Sequence, residues 1–241
     1  MLRAIFGQPK RSDEGKLAET NRAIRSFCKS LRERYDQDRV EERWIRLDLW
    51  ASGLIVALDE LEQSIYCSEQ YASQDWPKFE NEMDEQERDN YYRYIYYYKN
   101  AFIRLFSILD KTGYFLDLLF ELETGKIKSK FSYFTVLRQM HLGKTHALLE
   151  QSLFELKVKY RDPLDRLRKK RNLEIHSMNA ELIDDMWRSQ SRFADCHAIE
   201  QIADQLKDLQ LSYEMTMQSL LTIFQYCLKY LRQGKFDSGA H

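Results

Sequence analysis

Residues 44–65, WIRLDLWASGLIVALDELEQSI, set Trp44, Leu47, Ala51, Leu54, Leu58, Leu61 and Ile65 at alternating steps of three and four. At 3.6 residues per turn that spacing returns every one of them to one face. The stretch therefore reads as a long helix with a single apolar seam, running to about Ala72. The pattern recurs in Tyr94, Tyr98, Ala101, Leu105, Ile108, Thr112, Phe115, Leu119 and Leu122. It returns in Ile202, Leu206, Leu209, Tyr213, Met217, Leu220, Phe224, Cys227 and Leu231. Leu17, Ile24, Phe27, Leu31 and Tyr35 predict an earlier helix from Lys16, and shorter helices are expected at 132–140 and 144–160. Single apolar faces must be buried against one another, so the expected fold is all-α: an up-and-down bundle of long antiparallel helices with additional short ones.

Composition agrees. Only three prolines and eight glycines interrupt 241 residues. The expected organisation is a flexible tail over 1–15 unless something docks it, an accessory helix over 16–38, the bundle over 39–233 and a second tail over 234–241. Lys plus Arg (37) nearly balance Asp plus Glu (38), so affinity for a polyanion has to come from local asymmetry. Cys28, Cys67, Cys196 and Cys227 are far apart and no His stands at ligand spacing, so they read as reduced thiols, with no metal site and no cofactor expected. No apolar run reaches the roughly 18–20 residues that cross a bilayer, and the first residues lack a signal-peptide core. A cytoplasmic protein without membrane contact is the expectation.

Punctuation marks the element ends. Gly125 suits the C-terminus of the second seam helix, and Gly143 separates two short helices. In RDPLD, Asp162 reads as an N-cap and Pro163 as the first helical residue, so the next helix is expected over about 163–177. The tyrosine tract NYYRYIYYYKN, residues 90–100, resembles a base-stacking platform, but Tyr94 and Tyr98 fall on the seam with Tyr91 and Tyr97 beside it. Only Tyr92 and Tyr96 are left as surface candidates.

The chemistry concentrates in RLRKKRNLEIHS, residues 166–177. From Lys157 to Arg171 eight basic residues face Asp162 and Asp165, a local charge of +6; from Asp75 to Asp89 seven acidic residues face Lys78 and Arg88, a local charge of −5. The acidic stretch reads as a solvated linker. On an ideal helix Leu164, Leu167, Arg171, Ile175 and Met178 share a face, which puts a guanidinium in an apolar stripe, while Asn172 and His176 flank it. Such a cation either snorkels out or marks a polar cleft. Arg192 and His197 repeat the spacing without a polar neighbour after the arginine.

RNLEIH, residues 171–176, resembles the Arg-polar-x-x-x-His signature of the HEPN superfamily, the likeness covering about residues 40–233. That resemblance implies a helical bundle, in many members a metal-independent ribonuclease whose Arg, polar residue and His line a cleft at a two-fold interface. It carries over to Arg171, Asn172 and His176 as catalytic residues. It further implies an endoribonuclease of toxin or antiviral-defence type, a homodimer, and an antitoxin or other regulatory protein as partner. Some relatives carry a tyrosine two residues after the His; here Met178 stands there.

Metal-free cleavage of RNA needs a base for the ribose 2′-OH, an acid for the departing 5′-oxygen and positive charge at phosphorus. Two His176 and two Arg171 across a two-fold axis would supply them, with Asn172 orienting a His or a phosphate oxygen. Arg168, Lys169 and Lys170 are expected to hold flanking phosphates, and Asp110 with Lys111 are candidates for the cleft. The alternative is a non-catalytic module of the same fold that binds RNA, nucleotide or protein. A third reading is a helical scaffold in which Arg171 caps carbonyls near a helix C-terminus and His176 satisfies a local hydrogen bond. His141 and His146 flank Gly143, where capping or surface roles are expected; His241 is terminal.

Overall fold

The seams become helices in a computed structural model that describes residues 2–35, 42–72, 75–77, 79–127, 131–176 and 202–233. A 3-10 helix, Leu2–Phe6, precedes α1 (Gly15–Tyr35), α2 (Glu42–Tyr71), a 3-10 turn at Glu80–Glu82, α3 (Glu85–Phe120), α4 (Thr124–Ile127), α5 (Tyr133–Gly143), α6 (Ala147–Lys159), α7 (Arg161–His176) and α8 (Ile202–Arg232). Among the described residues there is no strand, and the fold is all-α. Met178, Arg192, Cys196, His197 and the tail 234–241 with His241 lie outside the described residues.

The chain divides into two compact units: Met1–Lys10, Leu61–Arg104 and Arg161–Ser212 form the first; Arg11–Glu60, Leu105–Tyr160 and Tyr213–His241 the second. In the first unit Tyr71 stacks on Tyr97 and Ser64 Oγ donates to Asn100, one number falling as the other rises, so α2 and α3 run antiparallel there. Tyr94 and Tyr98 are buried as the seam predicts, and the Tyr94 hydroxyl donates to Gln205 at 2.8 Å. The N-terminal segment is docked. Phe6 packs edge-on against Tyr66 and Tyr71, Arg3 lies over the Tyr66 ring and pairs with Glu62, and the Leu2 N–H donates to Gln63.

In the second unit Phe27, Phe115 and Phe224 meet with ring centroids 5.1–5.6 Å apart, all fully buried. The two contacts of Phe27 are edge-on, which suits aromatic quadrupoles, and the three rings join α1, α3 and α8. Cys28 faces Ser52 and Arg32 faces Asp48, making α1 and α2 antiparallel; Lys16 with Glu214 and Thr20 with Met217 make α1 and α8 parallel. Four shorter helices lie between α3 and α8 in the chain. Buried Cys28, Cys67 and Cys227 are free thiols, and burial pushes that of Cys28 up to about 11. Such a group is inert.

Two element ends differ from the sequence expectation. Helix α3 stops at Phe120 with Glu121 and Glu123 in the left-handed region at φ 52° and 51°, and Gly125 lies inside α4. The reason is a long-range cap: Arg43 donates to the Leu119 carbonyl at 2.7 Å and pairs with Glu121, so a cation does what a C-terminal glycine would do. Helix α7 begins at Arg161 directly after Tyr160, which puts Asp162 and Pro163 within its first turn rather than at its cap and first position. First-turn N–H groups have no intrahelical acceptor, so the proline costs no bond there.

At the α5–α6 junction His146, at φ 50°, stacks on Phe120 with centroids 3.7 Å apart, and its Nδ1 lies 3.0 Å from the Tyr226 hydroxyl. Burial lowers its pKa below the ordinary imidazole value of 6.5. The unfolded chain then binds more protons between the two values, so stability is complete above the unfolded pKa and falls as pH drops through it toward the folded one. Melting temperatures at pH 7.5 and 5.5 should differ more in the wild type than in His146→Asn, which tolerates the left-handed backbone and does not titrate.

Close approach also fixes α3 on α5. A Cβ on Gly113 would lie 2.9 Å from Tyr133 Cα and 3.0 Å from its N, backbone atoms that no rotamer change can move. Gly113→Ala should cost about 1–3 kcal/mol despite the better helix propensity of alanine. Gly53→Ala, where nothing lies within 4 Å, should instead raise the melting temperature; thermal denaturation of both variants tests the pair of signs.

Candidate functional site

Helix α7 buries only its first half. Leu164 and Leu167 are 4% and 1% exposed, whereas Leu173 is 55% and Ile175 48% exposed. The apolar stripe expected through Arg171 to Ile175 therefore ends after Leu167, and Arg171 does not sit in a core. Beyond Leu167 the contacts to the middle of α3 are made by charged side chains, with Lys170 Nζ 5.7 Å from the Tyr98 ring centre and Glu174 Oε2 3.2 Å from Lys99 Nζ. Arg171, half-buried, donates from Nη1 to Asn172 Oδ1 at 3.1 Å, and Asn172 is exposed. His176 closes α7 four residues after Asn172, on the same side of the helix backbone; its side chain lies outside the described residues.

The basic strip is not uniform. Arg166 is committed to the protein: Nε and Nη2 hold the two Asp208 oxygens at 2.6 and 2.7 Å, and Asp208 is buried on α8. That bidentate geometry is the strongest form of an ion pair, and it holds the arginine's pKa above its ordinary value. Arg168 is exposed and pairs one turn away with Asp165 at 2.7 Å, while Lys169 is exposed. Of the residues expected to hold phosphates, Arg168 and Lys169 face solvent and Lys170 is half-buried along Tyr98.

Asp110 and Lys111 belong to the second unit. Asp110 Oδ1 accepts the Tyr133 N–H at 3.4 Å, serving one first-turn donor of α5 that has no intrahelical acceptor, and Lys111 is exposed. Tyr92 and Tyr96 are exposed as expected, with the Tyr92 hydroxyl donating to Glu80. His141 is exposed and lies 3.3 Å from Glu150. No group of three or more His, Cys, Asp or Glu among the described residues is arranged to hold a metal ion, and no helix of the described residues is long and apolar enough to cross a membrane.

Sequence reasoning missed Lys99 and Asp208. Nothing local marks either: each acts through a partner on another helix, and only their acidic or basic type hinted at pairing. Glu174 stands inside RNLEIH, but nothing in the sequence pairs it with Lys99.

The model of the Cthe2314-like HEPN family matches residues 50–228, well over half of the chain. No curated protein and no solved structure matches significantly. The matched region runs from within α2 to within α8 and contains the whole of α7 with its Arg-Asn-x-x-x-His segment, and the chain belongs to the HEPN family.

Proposed function

We propose that this chain is a metal-independent endoribonuclease that cleaves single-stranded RNA at a site shared by two copies. The observation that supports the reading most is the position of Arg171 and Asn172: bonded to each other on the turns of α7 where Leu173 and Ile175 are about half exposed, within a HEPN chain. In the proposed reaction one imidazole takes the proton of the ribose 2′-OH as O2′ bonds to phosphorus. The P–O5′ bond breaks, a second imidazole protonates the leaving oxygen, and a 2′,3′-cyclic phosphate and a 5′-OH end remain. Arg171 would neutralise the charge that gathers on the phosphorane oxygens, which is where a fixed cation lowers a barrier most. Asn172, already an acceptor for Arg171, keeps its amide N–H groups for a phosphate oxygen or the imidazole.

Arg168 and Lys169 fit flanking phosphates better than Arg166. An exposed one-turn pair such as Arg168 with Asp165 is worth at most about 1 kcal/mol and is readily exchanged for a phosphate. Breaking the bidentate Arg166–Asp208 pair would strand a buried carboxylate. A defence or toxin role, and a regulatory protein that restrains it, are part of the same proposal and rest on the family alone.

Labelled single-stranded RNA incubated with the purified protein should be cut in the presence of EDTA, with a bell-shaped dependence of rate on pH. His176→Ala and Arg171→Ala should each lower the rate at least about 100-fold with an unchanged melting temperature. A substrate with a 2′-deoxyribose at the scissile position should resist. Wild-type cleavage that vanishes with EDTA, or persists in His176→Ala, overturns the reading.

A further inference from the structure

Lys99 and Glu174 form an ion pair between α3 and the turn of α7 that separates Arg171 from His176, with N–O distance 3.2 Å and side chains only 25% and 32% exposed. We propose that Lys99 is a positioning residue for the α7 site: it clamps the last turns of α7 to α3 and holds the Glu174 carboxylate away from Arg171. The kinetic part of this inference rests on the nuclease reading; the structural part does not.

The argument begins with the spacing. Glu174 stands three residues after Arg171, one of the two separations at which side chains on a helix meet, so a free carboxylate there is a natural partner for that guanidinium. A Glu174 carboxylate bonded to Arg171 would compete with a phosphate for that guanidinium. Lys99 engages Glu174 from the other side, and Arg171 donates to Asn172 at 3.1 Å. Lys170 adds a second contact to the same stretch of α3, its ammonium over the ring of Tyr98, the residue before Lys99. Tyr98 is itself stacked on Tyr94, whose hydroxyl is fixed by Gln205, so the clamp is anchored in the buried part of the first unit.

The second consideration is support. Among the described residues of α7 beyond Leu167, the apolar side chains Leu173 and Ile175 are both about half exposed. A helix end with little apolar burial opens more readily than a packed one, and displacement of a catalytic group by about 1 Å can cost two orders of magnitude in rate. An ion pair of this exposure adds little to global stability, so its loss should be felt in α7 and hardly in the melting temperature.

Three variants of the full chain test this: Lys99→Met, Glu174→Lys and the charge swap Lys99→Glu with Glu174→Lys. Amide hydrogen exchange and single-stranded RNA cleavage are the readouts. Lys99→Met and Glu174→Lys should speed exchange across residues 170–176 and lower kcat roughly tenfold or more, with KM and melting temperature close to wild type. The swap should restore both exchange and kcat. Wild-type exchange in Lys99→Met, or a swap as impaired as the single variants, overturns the inference. If the wild type cleaves no RNA, the nuclease reading fails on its own and the exchange pattern alone decides the clamp.

Discussion

Helix α7 is held by apolar packing over only its first half, and the site's character follows from that constraint. A helix of 16 residues is marginal in water unless tertiary contacts hold it. Leu164 and Leu167 supply them near the start, but beyond Leu167 the attachment is polar: Lys170 over Tyr98, then Glu174 to Lys99. Polar attachments at a surface are individually weak, but they are directional. They fix which side of the helix faces α3 without covering the side that carries Asn172. Had the apolar stripe continued through Ile175, burial would have been greater and the motif would have been hidden.

Much of the bundle could be read before any coordinates. The seams of α2, α3 and α8 run through many turns, and a pattern that long has no competing interpretation; Tyr94, Tyr98, Phe115 and Phe224 are all buried where their spacing puts them. Ends were harder, because what ends a helix here is remote. Arg43 caps α3 across 76 residues of chain, and no local rule would have preferred Glu121 to Gly125 for the left-handed turn. The stripe through Arg171 failed for a related reason. Periodicity reports which residues share a face, not whether another helix extends far enough to cover it. Arg171 and Asn172 were legible as a motif, whereas Lys99, the clamp on that motif, was one lysine among many until α3 and α7 were side by side.

The charge strips also resolve into separate tasks. Much of the basic run is spent inside the molecule: Arg166 on Asp208, and Arg161 and Arg168 sharing Asp165. The acidic run builds the start of α3. The Glu87 N–H donates to Asp84 Oδ1 at 2.8 Å and the Asp84 N–H to Glu87 Oε2 at 3.0 Å, a reciprocal cap at the end of the helix that favours negative charge. A net sum over either stretch therefore overstates what is left for a ligand. Exposed Lys169 and exchangeable Arg168, with half-buried Lys170 and Arg171 beside them, are a smaller and more local cationic surface than +6 suggests.

That local surface has an apolar frame. On the α7 register Asn172 and His176 lie between Leu173 on one side and Ile175 on the other, and both apolar side chains are about half exposed. Phosphate and ribose gain nothing from exposed Leu and Ile, but a protein surface does, by roughly 25 cal/mol for each Å² removed from water. An interface that covers the two apolar residues would exclude water from the polar pair between them, and exclusion strengthens each charge–dipole contact made there. In the proposed two-copy site, burial of Leu173 and Ile175 would drive association while Arg171 and Asn172 do the chemistry. The same half-helix would thus be exposed in one copy for the reason that it is completed by another.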